Sequence, residues 1–179
     1  MGLEPLPIAA EKAWRDHKVR VERIALSNSN GNVELIVTKG DGKGSSTYEP
    51  ILNSEEAKKW KDNTIIIGKL DVKTMRFNTW VEQAKDFNIE DYDTLVLDTQ
   101  GNEMEILKGM GKYLKYFKFL SIELSETPVY HGETPARDAI TWLDERGFIQ
   151  DSPIQSHNDV FFVRSDIKSK SDLVYRGLG

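Results

Sequence analysis

From residue 94 onward the chain alternates. TLVLD (94–98) is followed by the helical pattern NEMEILKGMGKYLKYF (102–117) and then by FLSIELS (119–125). After the loop ETPVYHGE come a second helical pattern, TPARDAITWLDERGF, and a last strand, NDVFFVR. A strand, helix, strand repetition of this length requires crossover connections, which predicts an α/β fold with a parallel sheet covered by helices on both faces. Within 102–117, Ile106, Met110, Tyr113 and Phe117 are spaced as one inward stripe. That spacing leaves Glu103, Glu105, Lys108, Lys112 and Lys115 in water.

The first half is less regular. Pro5 and Pro7 precede IAAEKAWRDH, a helix entered through proline at its first turn, with Ile8, Ala9, Ala13 and Trp14 facing inward. Strands are expected near 20–26 and 32–38, as a hairpin around Asn30-Gly31-Asn32. KGDGKGSSTYEP (39–50) lacks periodicity and reads as a mobile loop, followed by a short polar helix over SEEAKKWKD. A β-branched strand near 64–73 and a helix near 78–87 carrying Trp80, Val81 and Ala84 complete the order. Residues 1–165 form one domain in this reading, and 166–179 a polar tail, docked or frayed.

The formal charge of −5 is spread without a basic stripe, which argues against nucleic acid as a partner. No run of 18 apolar residues and no basic-then-apolar leader occurs, so neither a membrane span nor a signal peptide is expected. Cysteine is absent, which removes disulfides and thiolate chemistry and makes the cytoplasm the default compartment. His17, His131 and His157 stand at no spacing typical of a metal site, and no metal ligands are assigned.

Asp98 ends a buried strand. Ligands of open α/β sheets bind at the carboxyl ends of the strands, so this acid is placed for chemistry. Glu123 stands in the same position on the next strand, 25 residues later, a separation that suits one crossover. Neighbouring strands lie about 4.8 Å apart, and two carboxylates that close suppress each other's ionisation, leaving one as general acid or base. The same pair suits a divalent cation through its oxygens. A third reading is structural: an acid there can simply cap the following helix or accept turn N–H groups.

DTQGNEMEILKGM, with the upstream ALSNSNGNVELIV and GKGSSTYE and the downstream IELSETPVYHGETPARDAITWLDERGF, resembles the FkbM-type S-adenosylmethionine-dependent methyltransferases. The matching positions are Asp98, Gly101, Glu103, Leu107 and Gly109, and the similarity runs over nearly all of residues 3–165. The resemblance implies a Rossmann-like class I methyltransferase sandwich of three layers, with a mixed sheet and a reversed final hairpin. It implies methyl transfer to a hydroxyl oxygen of a small molecule or sugar, with S-adenosylmethionine as cofactor. Asp98 is the first candidate for the base or for orienting the acceptor, Glu123 the second, and His131 could reach an acceptor hydroxyl from its loop. On the cofactor side, Glu4 stands as the ribose acid, Ala25 and Leu26 border the adenine, and Asp98 faces the methyl donor. Asn78 departs from the family's pattern, which often has Asp there.

The resemblance implies a first strand and a glycine-rich turn ahead of the ribose acid, and neither is read in the sequence, which opens at Met1-Gly2-Leu3-Glu4. The expectation is an N-terminally truncated domain in which the strand of Asp98 has an unpaired edge that closes over or pairs with a second copy. Two further readings stay open beside the O-methyltransferase: a non-catalytic α/β domain serving as a binding or interaction module, and a methyltransferase assisted by a divalent metal.

Overall fold

The computed structural model describes residues 1–17, 20–39, 42–53, 58–59, 61–154 and 158–168. The expected polar helix over 54–62, His157 and the tail from 169 onward lie largely or wholly outside these residues, as do the side chains of Ile8, Ala13, Trp14 and His17.

The elements are β1 (Gly2–Leu3), α1 (Pro7–His17), β2 (Val21–Glu22), β3 (Ala25–Leu26), β4 (Gly31–Thr38), β5 (Ile66–Met75), α2 (Phe77–Gln83), β6 (Thr94–Leu97), α3 (Glu103–Met110), β7 (Phe119–Leu124), α4 (Ala136–Asp144), β8 (Phe148–Gln150), β9 (Asn158–Arg164) and α5 (Ser165–Lys168). They make a mixed α/β structure with three sheets, ordered β1-β2, β3-β5-β4 and β6-β7-β9-β8.

The parallel pairing read from the alternation holds for β1 with β2, β3 with β5 and β6 with β7, and does not extend to the last strand, where the resemblance implies a reversed hairpin in a mixed sheet. Strand β9 runs antiparallel to both β7 and β8. The reason is the connection: β8 ends at Gln150 and β9 begins at Asn158, too few residues apart for a crossover, so the chain turns back on itself. The hairpin expected around Asn30-Gly31 does not form either, because β5 lies between β3 and β4 and pairs with both. Asn30 is used otherwise. Its Oδ1 accepts the Arg76 N–H at 2.8 Å and its Nδ2 donates to Thr79 Oγ1 at 3.3 Å, tying this turn to the start of α2.

One core unites the second half. Leu97, Leu120, Ile122, Val160 and Phe162 of the sheet pack with Ile106, Leu107 and Met110 of α3 and Ala139 and Leu143 of α4. Met110, Ile122, Ala139, Leu143, Val160 and Phe162 have no exposed surface at all. Each large side chain buried in this way contributes about 1.5–3 kcal/mol. The predicted stripe holds, with Phe117 buried and Tyr113 packed against the cluster, although the helix tightens into a 3₁₀ stretch from Gly111 to Tyr116.

The other face of this sheet is less covered: Val96 is 65% exposed and Phe161, in the same cross-strand row through Ser121, is 40% exposed. Strand β6 pairs with β7 on one side, and among the described residues no strand pairs with its other edge.

Candidate active site

A cleft of about 950 Å³ opens between the β1 and β3 segments on one side and the carboxyl ends of β6 and β7 on the other. Glu4, Ala25, Leu26, Asp98 and Glu123, all singled out from the sequence, line it together. His131 is not among the lining residues. It is exposed, and its backbone N–H donates to the Glu49 carbonyl at 2.8 Å, so the loop turns the neighbouring Tyr130 toward the cleft instead.

The two acids meet because β6 and β7 are adjacent and parallel, with Leu97 opposite Ile122, so Asp98 and Glu123 follow in step. Between them stands Gln100. Its Nε2 donates to Asp98 Oδ1 at 2.7 Å and to Glu123 Oε2 at 2.8 Å. Its Oε1 accepts from the Tyr130 hydroxyl at 2.8 Å. Asp98 faces water at the mouth of the cleft, whereas Glu123 is half-buried. Burial, the Asp98 charge and the hydrogen bond between the two carboxyl groups push Glu123 up to about 9, with smaller contributions from Glu103 and Asp159. At neutral pH Glu123 therefore carries a proton.

Glu103 corrects the sequence reading. Assigned to the solvent face of its helix, it is only 3% exposed. Its Oε1 accepts from Thr99 N at 2.8 Å, Thr99 Oγ1 at 3.0 Å and Gly101 N at 3.2 Å, so it gathers the turn that presents Gln100. Burial raises it to about 7 against those hydrogen bonds. The structural role weighed for Asp98 thus belongs to Glu103, five residues on.

The turn itself constrains its residues. Gln100 has φ +57, and Gly101 has φ +96 with the Tyr130 ring 3.1 Å from where a Cβ would sit. The segment read as a mobile loop is strapped across the site: Ser46, 2% exposed, donates to the Gln100 carbonyl at 2.6 Å and accepts from Tyr48 N at 3.0 Å. Ser46 also forms an isolated bridge with Ile36, and Pro50 forms one with Tyr130.

On the opposite wall, Glu4 ends β1, and its Oε1 accepts from Leu6 N at 2.8 Å. Burial raises its carboxyl above the ordinary value, against that bond. The Leu26 carbonyl accepts from Asn102 Nδ2 at 2.9 Å, and Asn28 hydrogen-bonds Glu105, so the two walls are linked through α3. Gly109 permits this approach, since a Cβ there would lie 2.1 Å from the Ser27 carbonyl oxygen.

The description of the FkbM methyltransferase domain matches residues 1–149, most of the chain. The chain belongs to this family. It is also similar to the 2-O-methyltransferase NoeI of Sinorhizobium fredii (strain NBRC 101917 / NGR234), at 25% identity over 166 residues, 88% of this chain and 66% of that protein. No solved structure matches. Within the family match lie all the residues gathered in the cleft. Among the described residues no helix is long and apolar enough to cross a membrane, and no group of three or more acids and histidines is arranged to hold a metal.

Proposed function

We propose that this FkbM-family chain is an S-adenosylmethionine-dependent O-methyltransferase of Rossmann-like class I architecture, acting on a hydroxyl of a small molecule or sugar. The observation that carries the reading is the convergence of Glu4, Ala25 and Leu26 with Asp98 and Glu123 on one cleft. The donor set fits the cofactor: a strand-end carboxylate suits a ribose diol, since it accepts more bonds than the one from Leu6 N. Ala25 and Leu26 give an apolar border for a purine ring.

When bound, the cofactor supplies a methyl group on a sulfonium. Asp98 orients the acceptor hydroxyl and receives its proton as the oxygen–carbon bond forms and the carbon–sulfur bond breaks. Glu123, protonated, hydrogen-bonds Asp98 and holds it in place. Alignment of the acceptor with the methyl group supplies most of the rate, and the positioned base about 10²–10⁴-fold more.

Calorimetry with S-adenosylmethionine, followed by transfer of labelled methyl groups to a panel of polyols and sugars, tests this. Saturable binding and label in an ether are expected. Absence of binding at millimolar ligand overturns the reading and leaves an α/β interaction module.

A further inference from the structure

Gln100 occupies a backbone conformation that favours glycine, with φ +57, yet the chain keeps a long side chain there. Strain of this kind persists where the surroundings over-determine it. Here they do so from three sides. The carbonyl of Gln100 is gripped by Ser46, its Oε1 by Tyr130, and its Nε2 is spent on both carboxyl groups of the cleft. Tyr130 is fixed in turn, being 4% exposed with its hydroxyl 3.2 Å from the Gly44 carbonyl, so the strap over 42–50 holds it from behind.

We propose that Gln100 is the positioning residue of the carboxyl pair, its amide donating to Asp98 and Glu123 at once, with Tyr130 anchoring the amide oxygen on the far side. A primary amide has a donor end and an acceptor end, and only the donor end suits a pair of which at least one member is ionised. The Tyr130 hydroxyl donates to Oε1, and the opposite orientation would set that amide oxygen against the oxygens of the two carboxyl groups. The amide nitrogen also lies between the carboxyl groups, where a divalent cation bridging them would sit. The pair is therefore built to share a proton around a fixed donor, and the acceptor hydroxyl meets Asp98 from the open side. The catalytic use of this clamp rests on the methyltransferase reading; its geometry does not.

The test reads the pair directly. Carboxyl ¹³C resonances of labelled protein are titrated from pH 3 to 10, in wild type, Gln100→Leu and Tyr130→Phe. The groups facing Glu123 are Asp98, Glu103, Asp159 and Tyr130, so the apparent values belong to the cluster. Losing a donor to the ionised form raises the upper apparent pKa, by about one unit in Gln100→Leu given the strength of a charge-assisted bond. Tyr130→Phe, which keeps the ring packing, shifts it the same way by less. An upper step that stays in place or falls in Gln100→Leu overturns the proposal; if that variant does not fold, the same outcome in Tyr130→Phe does. The titration needs no turnover and judges the clamp alone. Calorimetry of wild type with S-adenosylmethionine separately judges the reading on which its catalytic use rests.

Discussion

Replacing Glu103 with glutamine removes a buried titration while keeping the oxygen that gathers the 99–101 turn. The folded protein holds this carboxyl at about 7 against an ordinary 4.5. Three donors and the start of α3 favour the ionised form, yet burial outweighs them. Because the folded state binds this proton more tightly than the unfolded state, its contribution is fully present below about pH 4.5. It is lost as the pH rises from 4.5 to about 7 and is flat beyond. That gap corresponds to about 3 kcal/mol. Glu103→Gln has no such loss, so the variant should match wild type at pH 4.5 and exceed it by about 3 kcal/mol at pH 7.5. Urea unfolding of both proteins at four pH values between these limits measures the difference. Glu123 titrates in both, and the part of its raised value that comes from the Glu103 charge is relieved in the variant, which adds to the difference in the same direction. Two stability curves that run parallel, or a wild type that gains on the variant as the pH rises, would refute the reasoning.

Three other outcomes are expected. Asp98→Asn should lower methyl transfer by about 10²–10⁴-fold while the variant stays folded, since the side chain is exposed, as seen in an unchanged far-ultraviolet circular dichroism spectrum. Glu4→Gln should weaken S-adenosylmethionine by roughly tenfold in calorimetry, because a charge-assisted bond to the ribose becomes a neutral one. Gly109→Ala sets a methyl group 2.1 Å from the Ser27 carbonyl, so the walls must separate, at a cost of about 1–3 kcal/mol seen as a lower Tm.

What was legible in the sequence was what depends on local pattern. Asp98 and Glu123 follow strands of clear character, and a parallel neighbour pairing placed them together. The stripe through Ile106 and Met110 was legible because helical spacing alone decides which side is buried. Glu103 was misread because spacing cannot see that the turn before the helix folds back over its first residue. Gln100 carried a weak signal, standing in the short link between the strand 94–98 and the helical pattern from 102, but its partners come from residues 46 and 130. The strap over 42–50 looked mobile because its contacts are to Tyr130 and Gln100, distant in sequence, and not within its own composition. The false hairpin at Asn30 shows the same limit, since a strand 35 residues away took the place between the two.

Among the described residues no strand pairs across the cleft. The segments that carry Glu4 and Leu26 belong to different sheets from the one that carries Asp98 and Glu123, and beside the strap over 42–50 the links directly between the two walls include side-chain clasps such as Asn102 on Leu26 and Asn28 on Glu105. The aperture between the walls is therefore soft in the direction that a ligand spanning them would bridge. Such a ligand acts as a missing rung, and its binding should register as slowed amide exchange in β1 and β3, well away from the atoms that react.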